Sequence, residues 1–311
     1  MCATDSTDGE GVDAAGILPL GQTEHARRPL VPWSILTQGW RKPGDRTHFT
    51  GILSLAMNKK RAASVLVCGW ATLAWGEGCP GPDRPIDTDR PDLANSSVVV
   101  PRGSLQEENG ANYTRSSSAR TIDAPNSRLR LGVAECFEIL LDLPNYAYTR
   151  GDGPSGFGNV APAVKWQVNP TPEAFDISAV AGVALPSGAR ALRGQGAQPY
   201  LQFPWSVDVG GEWSVNGMET QFFTPSGGAS KSTNQSNLVF EREFGERSFL
   251  FGEYVGTFPA HGASAQQLNT GGGYRITPLQ QVDFHAAVGL NSAAPRYSVG
   301  VGYSLRIDGL F

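Results

Sequence analysis

The sequence predicts an all-β protein: an antiparallel transmembrane β-barrel of about 12 strands preceded by a signal peptide. Three observations lead there. The end of the chain alternates apolar and polar residues with a strict period of two, the connections between alternating stretches are long and short in turn, and a secretory pattern precedes them.

Taken in order, residues 1–56 mix Pro, Gly, Arg and Asp without sustained periodicity and are expected to be unstructured. At Met57 the text changes. Asn58-Lys59-Lys60-Arg61 is basic, Val65 to Trp75 is apolar, and Ala74-Trp75-Gly76 puts small residues at −3 and −1 of a cleavage site. Residues 57–76 therefore read as a signal peptide. Such a peptide belongs at a chain's start, so Met57 is the expected initiator and 1–56 an over-extended gene start. Residues 77–103 form an N-terminal segment, and 104–311 the barrel.

Composition fits this organisation. Net charge is −4, which offers no basic patch for nucleic acid. No apolar run reaches the ~20 residues of a helical span, but barrels need none. The cysteines Cys2, Cys68, Cys79 and Cys136 lack CxxC spacing and suggest neither a metal site nor a disulfide framework.

The expected strands are 104–115, 127–133, 136–143, 157–168, 174–186, 199–209, 212–223, 234–244, 248–258, 265–276, 280–290 and 297–307. The last is the clearest. Tyr297, Val299, Val301, Tyr303, Leu305 and Ile307 alternate with Ser298, Gly300, Gly302, Ser304 and Arg306. Alternation puts one set on each face of a strand. A bulky face with aromatics at its ends suits lipid, and a face of Gly, Ser and charge suits a lumen. The expected long connections are TRSSSARTIDAPN, PNYAYTRGDGPSG, SGARALRGQGAQ, TPSGGASKST, PAHGAS and NSAAPR, with short turns between them. Outer-membrane barrels sort their loops this way, and an even strand count returns both termini to the periplasm.

Catalytic signals are weak. Gly151 to Gly156 matches GxGxxG but contains Pro154 and precedes no helix, so it is no dinucleotide site. His261 and His285 have no Ser or Cys at a catalytic spacing, and no metal or cofactor is expected. His285 shares the inward face with Asp283 and reads as a lumen residue. Charges inside a membrane protein are costly unless paired or wetted. Inward candidates are Glu138, Lys165, Asp176, Asp208, Glu253, Arg275, Asp283, His285 and Arg306. Asp89, Arg90 and Asp92 could pair with such groups if their segment folded inside the barrel as a plug; the alternative is a periplasmic tail held by nothing.

Thr88-Asp89-Arg90-Pro91-Asp92, followed by Val100-Pro101-Arg102-Gly103-Ser104-Leu105-Gln106, resembles the family of outer-membrane transporters named for the meta pathway of phenol degradation. The likeness continues through Leu129-Arg130-x-Gly132, Leu185-Pro186-Ser187-Gly188, Gly252-Glu253-Tyr254, Gln281-x-Asp283, Gly289-Leu290-Asn291 and Gly302-Tyr303-Ser304-x-Arg306. Ser187 departs from an expected Thr, and Ile307 to Phe311 runs past the expected finish. The resemblance implies a bacterial outer-membrane channel or transporter passing small, hydrophobic or aromatic solutes. Its expected partners are outer-membrane lipid, the barrel-assembly machinery through the C-terminal strand, and a small-molecule solute. Two rivals are a structural or adhesive barrel with a sealed lumen and a membrane-barrel lipid hydrolase. The latter needs a Ser–His pair, and the chain has no His–x–Ser arrangement.

Overall fold

The structure, a computed structural model, describes residues 79–168, 175–226 and 229–311. The expected start at Met57, the signal peptide over 57–76 and the unstructured 1–56 lie outside the described residues.

Within them the strands are β1 (Leu105–Arg115), β2 (Ala119–Ala124), β3 (Arg128–Ala134), β4 (Phe137–Asp142), β5 (Tyr146–Gly151), β6 (Gly156–Phe157), β7 (Ala161–Val168) and β8 (Phe175–Ala184). They continue as β9 (Gln198–Gly210), β10 (Trp213–Ser226), β11 (Ala229–Phe244), β12 (Ser248–Pro259), β13 (Ala265–Thr277), β14 (Gln280–Gly289) and β15 (Tyr297–Ile307). All pair antiparallel in one sheet, and β15 returns to β1 from Leu105↔Ile307 to Arg115↔Tyr297, closing the barrel. Closure leaves no unpaired edge, which lipid would not tolerate.

Fifteen segments make twelve wall strands, because β2 with β3, β4 with β5, and β6 with β7 are halves of interrupted strands. β1 pairs with β3 at one end and β2 at the other, β4 pairs with β7, and β5 with β2 and β6. The break between β2 and β3 falls at Pro125, which has no N–H to give the ladder, and at Asn126, whose φ is 48°.

The wall is inside-out relative to a soluble protein. Val301 is 60% exposed and Phe284 53%, while Arg130, Lys165 and Ser304 are fully buried at 0%. Exposed Phe137, Val164, Phe203, Phe240 and Leu250 continue the apolar band around the other strands. The twelve-strand reading therefore holds, and so do the faces assigned to β14 and β15.

Three expected loops do not. TRSSSARTIDAPN contains β2, PNYAYTRGDGPSG contains β5, and TPSGGASKST is mostly the paired ends of β10 and β11, up to Ser226↔Ala229. Beyond the bilayer a strand keeps its ladder without needing an apolar face, so hydrophobic alternation fades while pairing continues. Residues 185–197 remain a long connection, folded over β6: Ala189 N–H donates to Phe157 O (2.9 Å) and Val160 N–H to Ser187 Oγ (2.9 Å).

The cysteine reading is also corrected. Cys79 and Cys136 form a disulfide across a sequence separation of 57 residues, joining the N-terminal segment to the β3–β4 turn. The two lie far apart in sequence, so only the barrel's closure brings them together; an oxidising compartment suits the bond.

Candidate functional site: the occupied lumen

Residues 79–103 lie inside the periplasmic half of the barrel. They enter at the end where both barrel termini sit. There the Arg306 guanidinium donates to the carbonyls of Pro82 (2.9 Å) and Arg84 (2.8 Å), and Ile86 N–H donates to Pro278 O (2.7 Å). The chain then rises along β14, β15 and β1. Gln281 Nε2 donates to Thr88 Oγ1 (2.8 Å), and Gln106 Nε2 to Asp87 O (2.7 Å). It crosses to β12, where Leu93 N–H meets both oxygens of Glu253 (3.1 Å), and to β9, where Asn95 Nδ2 donates to Gln202 Oε1 (2.9 Å). It returns along β8, β7 and β4. Ser178 Oγ donates to Ser97 O, Lys165 Nζ to Val98 O (2.8 Å), and Val100 N–H to Glu138 Oε2 (2.6 Å). A segment without regular structure thus has its backbone groups satisfied by wall side chains.

Asp89 is the electrostatic centre. Its carboxylate lies 2.9 Å from Arg128, 3.2 Å from Arg130 and 3.6 Å from Lys165. Arg130 also reaches Glu108 (3.2 Å) and Glu138 (3.0 Å), and Lys165 reaches Glu138 (3.5 Å). Arg128 also holds Asp142 on β4 at 2.6 Å, so three cations face four carboxylates; Asp89, Glu108, Glu138, Arg130 and Lys165 are buried, and the Arg128–Asp142 end is half-exposed. Burial alone would raise the Asp89 carboxyl, but Arg130, Lys165 and Arg128 together outweigh it and hold it well below the usual carboxylate range.

Arg90 lies across the seam where the first and last strands meet. Its guanidinium donates to Asp283 (3.2 Å) on β14 and to the Val301 carbonyl (3.3 Å) on β15. Gly110 and Gly302 are direct partners across β1 and β15, and a Cβ on either would fall within 2.4 Å of the Arg90 side chain. The two glycines form the slot that receives it.

Asp92 has the opposite environment. Burial first, then the carboxylates of Glu253 and Glu241, push it well above the usual range, and it has no cation partner among the described residues. Below it Ala94 packs on Met218, Val239, Phe249 and Phe251.

Of the sequence-predicted lumen residues, Asp89, Arg90, Asp92, Glu253, Asp283 and Arg306 come together around the segment. His285 lies farther from the periplasm, its ring nitrogens hydrogen-bonded to Asn112 (3.1 Å) and Asn269 (3.3 Å). Asp208, on the same face of β9 as Gln202 and Ser206, is exposed at the β9–β10 turn, where it accepts from Gly210 N–H (2.7 Å) and meets no residue of the segment. Glu108, Arg128 and Arg130 were missed as contact residues. The signal was present, since Arg128, Arg130 and Gly132 fall on one face of the expected strand 127–133.

Above the segment the charge network thins to Asp142, paired with Arg128 at 2.6 Å, and Asp123, which accepts from Asn112 Nδ2 (3.3 Å). On one side Leu140, Ala163 and Val180 form an apolar shelf with Tyr200, whose ring lies 6.2 Å from that of Phe222. Half-way round the closed sheet stand Asn112, Asn269 and His285. At the periplasmic mouth a cavity of about 330 Å³ remains between segment and wall, bounded by Ile86, Val99, Glu243, Arg275 and Arg306.

Comparison with known proteins agrees with this architecture. The COG4313 outer membrane channel from Pseudomonas putida F1 superposes with a TM-score of 0.56 at 13% identity, covering 71% of this chain and 100% of that one. The NanC porin follows at 0.48 and 9% identity, covering 65% and 100%, and the CymD monoaromatic hydrocarbon channel at 0.41 and 11%, covering 68% and 90%. No curated protein matches the chain as a relative. The chain is an outer-membrane β-barrel. A family profile matches residues 88–307, from Thr88 within the lumen segment to the last residue of β15, and by that match the protein belongs to the family described as "Putative MetA-pathway of phenol degradation".

Proposed function

We propose that the protein is a passive outer-membrane channel for small, uncharged, partly apolar solutes, gated by its own residues 79–103. The observation that carries this reading is the division of the lumen. Its outer half offers an apolar and aromatic shelf facing amide side chains, with its nearest acid, Asp142, held by Arg128 at 2.6 Å, and its inner half is filled by a segment bonded to most wall strands. A solute such as a phenol could lay its ring on Leu140, Val180 and Tyr200 and its hydroxyl toward Asn269 or His285. The chemistry is binding and passage, with no bond made or broken. Twelve strands enclose less than the aqueous channel of 16–18-stranded porins, so the segment's position decides whether a path exists. The cavity at the mouth, on the β11–β13 side, is where such a path would leave. Strand β15 and the residues to Phe311 are the part offered to the barrel-assembly machinery.

The test replaces residues 87–97 by glycine and serine, leaving Cys79 and the barrel intact, and compares single-channel conductance in planar bilayers. The replacement is expected to raise conductance, and Asp89→Ala with Asp92→Ala to raise it partially. Equal conductance before and after would place the segment outside the conducting path. Silence in both forms, with the barrel folded, would favour a sealed structural barrel.

A further inference from the structure

The extracellular rim carries a feature that transport does not use. Arg115 on β1 is the direct cross-strand partner of Arg120 on β2, and Arg120 is the direct partner of Arg150 on β5. Three guanidinium side chains therefore stand side by side on one face of three neighbouring strands. That face is the outer one. Ala119 and Thr121, flanking Arg120, are buried, while Arg120 and Arg150 are exposed. Arg115 lies opposite exposed Tyr297. Arg296 adjoins the row, its N–H donating to the Arg115 carbonyl (2.7 Å), and is exposed too.

Like charges placed directly opposite across a ladder destabilise a sheet. Among the described residues nothing offsets them: none of these four side chains forms an ion pair. Asp152, the acid nearest to Arg150 in sequence, forms none either. By contrast Arg242, near the periplasmic turns, lies over Trp213 at 5.3 Å and Phe244 at 5.1 Å.

Height decides what the row meets. Two residue pairs closer to the bilayer, Tyr113, Ile122 and Tyr148 form the next row on the same face of the ladder. Ile122 is 53% exposed, Tyr148 56%, and the Tyr113 ring lies 6.1 Å from that of Tyr297. Aromatic belts sit at the membrane–water boundary. The arginines stand just outside that belt on the face away from the termini, at the depth of outer-leaflet headgroups. A guanidinium fork matches phosphate oxygens two at a time and is more weakly hydrated than an ammonium.

We propose that Arg115, Arg120 and Arg150 form a binding site for the phosphate groups of a lipid in the outer leaflet. The lipid's chains would lie over Ile122 and Tyr148, and its phosphates would bridge guanidinium groups that otherwise repel one another. The site is independent of whether the lumen conducts.

The test uses the full protein in nanodiscs of zwitterionic phosphatidylcholine, with and without bisphosphorylated lipid A. Lipid A is expected to raise the thermal unfolding midpoint of the natural protein and to leave that of the Arg120→Gln, Arg150→Gln double variant unmoved. Lipid A with one phosphate should give a smaller rise. In phosphatidylcholine alone the double variant should be at least as stable as the natural protein, because the repulsion is gone. Arg247→Gln, at a periplasmic turn, should keep the full response. An equal rise in the double variant would overturn the site. So would a double variant that is less stable or unfolded in phosphatidylcholine, since the arginines would then already be satisfied within the protein. Inorganic phosphate matching the effect of lipid A would show a free-anion site in place of a lipid one.

Discussion

The two halves of this barrel are built on opposite rules. Toward the periplasm the lumen is a closed network of buried charge, with Asp89, Glu108 and Glu138 set among Arg128, Arg130 and Lys165, and a chain segment completes it. Toward the outside the lumen is mostly uncharged, Leu140, Val180 and Tyr200 facing Asn112, Asn269 and His285, with Asp142 taken up by Arg128, while the arginine row stands on the outer rim. The wall is one continuous sheet in both. What differs is how densely charge is paired within the chain: Asp89 meets three cations in the lower half, whereas the arginine row on the upper rim makes no ion pair among the described residues. A region whose charges are internally paired is rigid and specific, and one left mostly uncharged is free to take a guest.

The largest test of this contrast removes a cation from the lower network. Arg130→Met leaves Glu108 and Glu138 buried without their common partner. Breaking a buried pair on one side costs roughly 3–5 kcal/mol. Denaturant unfolding in liposomes should show a loss of that size, whereas Tyr200→Leu in the upper half should change stability far less. Similar losses at both sites would erase the distinction.

Next in size is the contrast between the two faces at one height. Val301→Arg puts a charge in the lipid band and should cost roughly 2–4 kcal/mol near the midplane. Gly302→Ala, one residue on, faces the Arg90 slot. It should leave the barrel folded but dislodge Arg90 from Asp283, read as a rise in conductance. A Gly302→Ala channel that conducts like the natural one would mean Arg90 does not hold the segment closed.

The smallest expected effect is with pH. The docked Asp92 carboxyl titrates above its ordinary value of 3.8 because burial, Glu253 and Glu241 disfavour its charge. Such a group favours docking most fully below 3.8, and that contribution fades as pH rises through its docked value. Asp89 has the opposite sign: its contribution is full above 3.8 and is lost only in stronger acid. Conductance should therefore fall as pH drops from neutral toward 3.8 and recover below it. Asp92→Asn should flatten the first branch alone. A variant that keeps the fall would assign it to another group.

Much of this was legible in the text of the chain. Alternation in β14 and β15 identified the lipid face, because a tilted strand between lipid and lumen must alternate. It also placed Glu138, Lys165, Asp283 and Arg306 inward. Legibility ended where a bilayer no longer imposes that contrast. β2 and β5 hide among Ser, Thr and Arg because above the membrane only the ladder holds them. The partnership of Asp89 with Arg128 and Arg130 was hidden for another reason. Both arginines lay on a predicted face, but which charge a segment without periodicity would meet depends on closure, not on local pattern. Cys79 and Cys136 escaped for the same reason.

That disulfide has a mechanical consequence. The lumen segment enters and leaves by the same mouth, so it is a loop, and among the described residues none threads the barrel from end to end. Its far end continues into β1, and its near end is bonded to the β3–β4 turn at Cys136. Tension applied to the chain ahead of Cys79 would pass through the covalent bridge into the wall and bypass Asp89 to Asn95. On the proposed gating, a segment anchored at both ends is not opened by pulling on its leading end, and opening would start inside the lumen: a solute arriving on the Tyr200 shelf, a proton on Asp92, or ions screening Arg90.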